Sequence, residues 1–376
     1  MWYRLKLWLR QGVGVSLALS LAACGGGAEV MGISSLPRLD PYPTSADQWQ
    51  ALDQEANALA YSAGARGQYT SVTWRQLEPH LDQMDESELK NVQGQLDRAQ
   101  ATGMTSLVTI QLINTARREL PAELATEPFD SPAMKSRFHK LLDKLIVPNK
   151  GKIKYLSIGN EVDCYLHDHP LEWAPYKDFY VDAANYARSL DPAIQVGVTA
   201  TGYGALNGEL IGMQSLNEAS DVVIFTYYPL LISENYTIAM KPPSVVASDF
   251  KRMLEVAGTH PLVMQEVGYA AAAISQGSED LQAEFVGDVF DVWKANRDRM
   301  PFLNFFMLHD FPVQTCNEFA AYFKIAHPDS FKGFFCSLGF VQSNGVPRKA
   351  WSTLQLNAAA MGLGLPPPPP LPPPLP

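Results

Sequence analysis

Several features that mark whole classes of protein are absent from this sequence. Its 376 residues hold no basic run longer than a pair such as Arg117–Arg118, and the formal net charge is −10. Proteins that bind nucleic acids present clustered Lys and Arg to the phosphates, so nucleic acid is not an expected partner. There is also no Gly-x-Ser-x-Gly segment, which in serine hydrolases places the nucleophile on a sharp turn. We therefore expect neither a nucleic-acid-binding protein nor a serine hydrolase, and we expect no cofactor.

Long apolar runs are absent as well. The apolar stretch Gly12–Ala23 is too short to span a bilayer, and it follows the basic residues Arg4, Lys6 and Arg10. This order is typical of a signal peptide that is removed from the mature protein. The run ends in Leu-Ala-Ala-Cys, which resembles a bacterial lipobox and implies that Cys24 is lipidated and becomes the mature N-terminus. The alternative is a plain secretory signal. We expect an extracytoplasmic protein whose contact with the cell envelope membrane is this lipid anchor alone.

Cysteine is scarce, with four in the whole chain. If Cys24 carries lipid, an odd number remains in an oxidising compartment, namely Cys164, Cys316 and Cys336. The last two bracket one loop after the final predicted strand, which favours a disulfide between them and a free thiol at Cys164, although no spacing rule fixes the pairing. Cys164 begins a Cys-x-x-His-Asp-His segment of ligand-type residues. We expect substrate contacts or simple solvation there and no metal site, because residue types without geometry do not define one.

The chain does contain a regular alternation of short apolar segments with amphipathic helical segments. Apolar strands of this kind are typical of a parallel sheet covered on both faces. The strand predictions cover residues 28–42 (weakly), 68–74, 104–112, 153–159, 194–199, 222–228, 262–267 and 302–308. The helix predictions cover residues 45–62, 85–103, 131–145, 171–190, 208–219, 244–257, 279–296 and 350–360.

Eight such units favour a sheet that closes on itself, so we predict the α/β class and a single (β/α)8 barrel. The alternative is an open doubly wound sheet, but no Gly-rich phosphate loop follows the first strand. The predicted parts are a signal peptide (1–23), a lipidated N-terminus and linker (24–36), the barrel (37–362) and a Pro-rich disordered tail (363–376). We expect a monomer.

Two glutamates end predicted strands. Glu161 closes the fourth strand and Glu266 closes the seventh. A lone Glu at a strand end is more often simply solvated. Two of them on the face where the barrel strands converge are instead the groups that glycoside hydrolysis needs, one to protonate the leaving oxygen and one to attack or to activate water. Asn160 can present an amide to a sugar hydroxyl. Tyr227 and Tyr228 end the sixth strand, where one hydroxyl can donate to Glu266 while the other ring packs in the core.

Motifs in this order resemble those of the clan A retaining (β/α)8 glycoside hydrolases, which include cellulase, galactanase and β-galactosidase families. They are Gly-Asn-Glu at the fourth strand, Tyr-Tyr-Pro at the sixth and Gln-Glu-x-Gly-Tyr at the seventh, and the segment from Trp74 is similar to the clan's Trp-x-x-(Leu/Ile)-x-Pro. The resemblance implies that Glu161 is the acid/base and Glu266 the nucleophile. It also implies that Asn160 binds the sugar 2-hydroxyl, that Tyr228 orients the nucleophile, and that the substrate is a β-linked oligo- or polysaccharide.

The sequence departs from the clan pattern at two places. Many members have an Arg on the second strand near the nucleophile, and the register from Trp74 puts Tyr69 there. Many also have a Trp after the eighth strand, where this chain has Phe-Phe-Met-Leu-His-Asp. The departures leave open a non-catalytic carbohydrate-binding lipoprotein on a degenerate barrel; a transglycosidase using the same residues is a further alternative. Trp74, His309 and Asp310 are further candidates for sugar binding, with core packing or local hydrogen bonding as the alternatives.

The retaining mechanism carries a geometric expectation. A retaining pair of carboxyl groups lies about 5–5.5 Å apart, whereas an inverting pair leaves about 6.5–9.5 Å for a water. We expect the shorter separation for Glu161 and Glu266. We also expect Glu266 to be ionised and held by Tyr228, and Glu161 to have the raised pKa that an acid needs.

Overall fold

The computed structural model describes residues 29–233 and 237–363, which form one closed barrel surrounded by helices. Within these residues, no helix is both long enough and apolar enough to cross a membrane. The barrel strands are β1 Val30–Ile33, β2 Gly67–Thr73, β3 Thr105–Asn114, β4 Tyr155–Asn160, β5 in two segments (Gln195–Gly197 and Thr199–Thr201), β6 Val223–Tyr227, β7 Leu262–Val267 and β8 Phe302–Phe305.

The strands pair in parallel with their sequence neighbours, and β8 pairs with β1 to close the ring. The two segments of β5 complete the circle, since the first pairs with β4 and the second with β6. This is the predicted (β/α)8 barrel, and the open doubly wound alternative is wrong. In such a barrel every strand C-terminus lies on one face, the catalytic face of the known barrel enzymes.

The barrel begins earlier than predicted. Val30 is paired with Phe302 and starts β1, so residues 30–33 belong to the barrel and not to the predicted linker 24–36. The strand was hard to detect because it is short, with four residues, and because its Gly32 has no side chain to show a pattern. The predicted signal peptide, Cys24 and the tail beyond Leu363 lie outside the described residues.

The helices begin at polar caps that the sequence shows. Ser45, Asp85 and Ser131 each accept a backbone N–H with their side chains at a helix start. The helices are α1 Ala46–Ser62, α2 Trp74–Leu77, α3 Glu86–Ala101, α4 Pro132–Ile146, α5 Val162–Asp168, α6 Trp173–Leu190, α7 Gly202–Asn207, α8 Leu210–Asn217, α9 Val246–Ala257, α10 Glu279–Ala295, α11 Val313–Tyr322, α12 Pro328–Phe335 and α13 Lys349–Ala360.

The barrel interior is apolar at the N-terminal end of the strands. Side chains from six strands form a buried cluster there, and the rings of Tyr155 and Phe302 meet at 5.7 Å across the barrel. Nearer the catalytic face the interior becomes polar, because Thr109, Thr199 and Gln265 are buried and joined by hydrogen bonds. The apolar cluster fills the lower barrel, so the catalytic face is the open end.

Two insertions rise from the catalytic face. After β6 the chain forms a hairpin, in which Leu230–Ile232 pairs with Ile238–Met240. After β8 it forms α11 and α12, which a disulfide between Cys316 and Cys336 joins across a Cα–Cα distance of 6.1 Å. Cys164 is a free thiol, half-buried in α5.

Candidate active site

Glu161 stands between β4 and α5 with an unusual backbone conformation. Its φ is 48°, in the left-handed region that residues other than glycine rarely adopt. The turn brings the side chain between two hydroxyl donors: Thr115 Oγ1 donates to Oε2 at 2.7 Å, and Thr226 Oγ1 donates to Oε1 at 2.7 Å. These threonines come from the β3 loop and from β6. Three parts of the barrel therefore fix this half-buried carboxylate.

Glu266 lies one residue before the end of β7, at an irregularity in the sheet. The register between β7 and β6 shifts between Met264 and Glu266. Successive residues of a regular strand point to opposite faces, and a bulge re-aims one of them. Here Gln265 and Glu266 both reach the same network, since the Gln265 Nε2 donates to Asn160 and lies 3.4 Å from Glu266 Oε1. The irregularity thus lets two adjacent polar side chains serve one site.

Two tyrosines hold the Glu266 carboxylate, one at each oxygen. Tyr228 Oη donates to Oε2 at 2.8 Å, as the resemblance implied, and Tyr69 Oη donates to Oε1 at 3.2 Å. Tyr69 occupies the second-strand position at which the clan commonly has Arg. The structure therefore supplies a neutral donor where a cation was expected. Burial raises the pKa of both phenols well above their usual value, so both hydroxyls carry their protons and act as donors.

The two glutamates influence each other electrostatically. Burial raises the pKa of Glu266 to about 7, with a further contribution from the charge of Glu161, while the donors Tyr228, Tyr69 and Gln265 act in the opposite direction. The sequence predicted the raised pKa at Glu161 and full ionisation of Glu266. Contrary to the expectation for Glu266, the pKa of this carboxyl is raised, because protein buries it and the charge of Glu161 acts on it.

Asn160 is held by protein on two sides. Its Oδ1 accepts from Gln265 Nε2 at 2.7 Å, and its Nδ2 donates to Asn114 Oδ1 at 3.1 Å. Gln265 is fixed in turn by Thr109 and Thr199, which donate to its Oε1 at 2.6 and 2.7 Å. The amide of Asn160 still has a second N–H to offer, so sugar binding by this residue stays a prediction. The geometry shows that Gln265 links Asn160 to Glu266.

Trp74 is part of the core and does not line the mouth, so the prediction that it binds sugar is wrong. Its side chain is fully buried, and its Nε1 donates to Glu78 at 3.0 Å. The indole packs against Phe138 and Phe179, with ring centroids 4.9 and 6.5 Å away. These rings come from α4 and α6 outside the barrel. The residue opens α2, and the chain has turned away from the catalytic face at that point.

His309 and Asp310 are also structural, contrary to their prediction as sugar-binding residues. His309 is buried, its Nδ1 lies 2.7 Å from the Leu36 carbonyl oxygen, and burial lowers its pKa. Asp310 is buried against Arg348 and accepts from the Gly339 backbone N–H at 2.8 Å. Each side chain is therefore committed to a local partner that ties the segment after β8 to the rest of the fold.

The Cys-x-x-His-Asp-His segment is dispersed over α5 and the turn that follows. His167 pairs with Glu209 at 2.6 Å, and the ring of His169 stacks on Tyr165. In the part of the chain that the structure describes, no group of three or more His, Cys, Asp or Glu side chains could hold a metal ion.

Four residues of the site were not predicted as site residues from the sequence: Tyr69, Thr115, Thr226 and Gln265. Tyr69 had been noted only as the occupant of the position at which the clan commonly has Arg. Thr115, Thr226 and Gln265 lie at or near the C-terminal end of a barrel strand, whereas Tyr69 lies in the first half of β2. Thr115 and Thr226 are common residue types, and a strand-end position was the one signal that pointed to them. Asp163 was missed too. It is buried beside Glu161, bonded to the Thr201 backbone N–H at 2.8 Å, and burial raises its pKa to about 7.

No protein-family model matches this sequence, and no curated protein matches it. Solved structures do resemble the fold. A GH5_18 protein from Streptomyces cattleya, in complex with Manb1-4GlcNAc, is 15% identical, with 91% of this chain and 83% of that chain covered at a TM-score of 0.66. The exo-beta-1,4-mannosidase Op5Man5 from Opitutaceae bacterium strain TAV5 is 16% identical, with coverages of 89% and 59% and a TM-score of 0.64. Xylanase 10B from Thermotoga maritima is 12% identical, with coverages of 89% and 95% and a TM-score of 0.59. These likenesses show a barrel fold that glycoside hydrolases share.

Proposed function

We propose that this chain is a retaining glycoside hydrolase that cleaves a β-linked oligo- or polysaccharide by double displacement. One observation carries the proposal: Glu161 directly follows β4 and Glu266 lies near the end of β7, and the charge of Glu161 contributes to the raised pKa of Glu266. Glycosidic cleavage needs such a pair, holding one proton between them. The fold shared with glycoside hydrolases supports this reading.

In the proposed first step, Glu266 attacks the anomeric carbon and the leaving oxygen takes a proton from Glu161. The three donors on Glu266 favour its ionised form, which the attack on the anomeric carbon requires. The mechanism also requires that Glu161 carries the proton in the enzyme–substrate complex. In the second step Glu161, now a carboxylate, removes a proton from water. The water attacks the glycosyl ester and releases Glu266, and the sugar keeps its original anomeric configuration.

The test is the configuration of the first product. We expect the β anomer of the sugar to form first from an aryl β-glycoside, followed by slow mutarotation, in proton NMR spectra taken during hydrolysis. First formation of the α anomer would mean that the enzyme inverts, with carboxyl groups set far enough apart to hold a water. β-Mannosides and β-xylosides are the first substrates to screen, because the neighbours include a mannosidase and a xylanase.

Two alternatives use the same site. A non-catalytic carbohydrate-binding lipoprotein is suggested by the missing Arg and by the missing Trp after the eighth strand. At the first of these positions, Tyr69 bonds to Glu266. This alternative would be supported by sugar binding without hydrolysis of any glycoside in the screen. A transglycosidase would transfer the glycosyl group to a sugar acceptor instead of water. Product analysis at high acceptor concentration separates transfer from hydrolysis.

Removing the phenolic hydroxyls is expected to shift the pH profile of the enzyme. Each hydroxyl stabilises ionised Glu266, so Tyr228→Phe and Tyr69→Phe raise the pKa of Glu266. The acid limb of the kcat/KM profile then moves to higher pH by about one unit for each, as expected for a hydrogen bond to a charged group. Tyr227→Phe is the matched control. Its hydroxyl donates to Asp249 at 3.0 Å, away from the site. Equal acid limbs in all three variants and the wild type would contradict the role of the tyrosines.

We propose in addition that the protein is held at a bacterial membrane by lipid on Cys24. The evidence is the lipobox-like Leu-Ala-Ala-Cys at the end of a short apolar run. Cys24→Ser is expected to leave the precursor unprocessed or to release the protein, as measured by fractionation of cells without detergent. One acyl chain binds a membrane only weakly, so the multiple chains of a lipoprotein are needed for stable anchoring. A wild-type protein that is soluble in the absence of detergent would refute the anchor.

A further inference from the structure

The segment after β8 forms a rigid unit, which we call the β8 insertion and define as α11, α12 and the disulfide Cys316–Cys336. The disulfide joins the first turn of α11 to the end of α12. Between the helices, Phe335 of α12 packs against Phe319 of α11 with ring centroids 5.0 Å apart, and within α12 it stacks on Phe331 at 5.3 Å. The disulfide and the aromatic contacts together hold α11 and α12 in a fixed arrangement at the barrel mouth.

One end of the β8 insertion contacts the loop after β3. The Arg117 Nη1 donates to the Tyr322 carbonyl oxygen at 2.8 Å, and the guanidinium lies 4.5 Å from the centre of the Tyr322 ring. The Tyr322 hydroxyl donates to Glu119, which is fully buried. In the ring of strands, β8 and β3 are separated by β1 and β2. The insertion therefore extends well beyond its own strand along the catalytic face.

The other end is fastened to the β6 hairpin and the β7 loop. Ser330 Oγ donates to the Ile238 carbonyl oxygen at 3.0 Å and accepts from the Ile238 N–H at 2.6 Å. Gly333 lies so close to Ile274 that a Cβ there would come within 2.1 Å of the Ile274 Cγ2. The insertion thus has fixed contacts at β3, β6 and β7.

The base of the β8 insertion meets the catalytic residues. The Phe334 ring lies 5.3 Å from the ring of Tyr228, whose hydroxyl donates to Glu266. The half-buried Phe306, directly after β8, lies 6.5 Å from Tyr228 and 6.3 Å from Phe335. The aromatic surface of the insertion is therefore continuous with the side of the site that holds the proposed nucleophile.

We propose that the β8 insertion forms a wall along the barrel mouth. The wall runs from β3 past β2, β1, β8 and β7 to β6, and the enzyme therefore removes sugars from chain ends. The inference rests on the proposed function. To cut a chain internally, an enzyme must let the polymer run past both carboxylates and out on both sides. A wall fixed at β3 and β6 blocks one of these directions and leaves the approach above β4 and β5. Half-buried Phe306 and Phe311 give the blocked end an apolar surface for the face of a terminal sugar ring.

The test compares products from a soluble polysaccharide of the β-linked sugar that the aryl-glycoside screen selects. For the wild type we expect one small product from the first time point, while the mean polymer length falls only slowly. Tyr322→Ala removes the ring contact with Arg117 and the hydrogen bond to Glu119, so it weakens the contact at β3 and is expected to change the product from one species to a ladder of oligosaccharides. Val313→Ala is the control, because this exposed residue lies on the same helix and the products should not change. A ladder of oligosaccharides from the wild type would contradict the proposal that the β8 insertion is a wall.

Two further measurements guard against a variant that fails to fold. The Cys316→Ser/Cys336→Ser double variant loosens the wall by another route and should also give a ladder, with thermal unfolding followed for every variant. Binding of the slow Glu161→Ala protein to polysaccharide with both chain ends blocked should be at least about tenfold weaker than to the unblocked polymer, equivalent to about 1.4 kcal/mol. Equal affinity for the two polymers would contradict the wall. Absence of both cleavage and binding would reject the proposed function and this inference with it, whereas internal cleavage rejects the wall alone.

Discussion

Replacement of Glu266 by alanine is expected to lower kcat on aryl β-glycosides by about 10⁴-fold or more, because loss of a nucleophile costs the enzyme its covalent intermediate. Tyr228 and Tyr69 hold the two oxygens of this side chain. The measurement is steady-state kinetics with a substrate whose leaving group departs without protonation. Glu209→Ala is the matched control. This carboxylate lies between α7 and α8, and it pairs with His167 in a solvent-exposed contact.

A small anion provides a second measurement on the same variant. Azide can enter the space left by the Glu266 carboxylate and attack the anomeric carbon from the same side. Activity should then return in proportion to azide, and the product should be the α-glycosyl azide, of inverted configuration. Recovery of the β-glycosyl azide would mean that the nucleophile is intact and that Glu266 has the other role. Failure of Glu266→Ala to lose activity would refute the proposed mechanism as a whole.

The sequence predicted the barrel because its evidence was local. The seventh strand was predicted at 262–267 and lies at Leu262–Val267, since a short apolar run between helices that end and begin with polar caps allows few alternatives. The positions of Glu161 and Glu266 followed from the same evidence, because a residue at the end of a barrel strand lies on the catalytic face whatever its neighbours are. β1 was predicted only weakly, since four residues with a glycine carry little pattern.

The details of the site depend on contacts that no local pattern contains. The register shift in β7 is set by pairing with β6 and β8, and it decides that Gln265 joins Glu266 in the site. The residue type of Trp74 and its segment predicted that it binds sugar. The side chain is buried instead, because α2 leads away from the catalytic face. His309 lies on the predicted face, yet the carbonyl of Leu36 binds it. A position at a strand end predicts that a residue lies on the catalytic face. Whether its side chain is free to bind a substrate depends on contacts with residues distant in sequence.

The β8 insertion also has contacts that the sequence could not predict. The sequence indicated a disulfide between Cys316 and Cys336 because the two cysteines bracket one loop, and the structure joins them. Nothing in the spacing showed that this loop would contact Arg117 after β3 and Ile238 after β6. Substrate shape in such barrels is set by loops of this kind, whereas the reaction is set by the strand ends. For this reason the sequence predicts the class of reaction better than the substrate.

Glu161→Ala is expected to affect substrates according to their leaving groups. A dinitrophenolate departs without help, so loss of the acid should slow its release little, whereas an alkyl or sugar leaving group needs the proton and should be slowed by about 10²–10⁴-fold. The two hydroxyls that hold Glu161, from Thr115 and Thr226, are hydrogen-bond donors and do not replace its proton. The measurement is kcat/KM for a series of aryl β-glycosides, plotted against the pKa of the leaving phenol. The variant should show a much steeper dependence than the wild type.

The Glu161→Ala variant should also differ from Glu266→Ala in its response to azide. With Glu266 intact, the glycosyl–enzyme still forms from an activated substrate, but no base is left to help water attack it. Azide needs no base, so it should speed turnover and give the β-glycosyl azide, of retained configuration. The two variants together therefore assign the two carboxylates independently of any likeness to other proteins. The same anomer from both variants, or an equal loss for all leaving groups in Glu161→Ala, would mean that Glu161 is not the acid. The retaining assignment would then have to be abandoned.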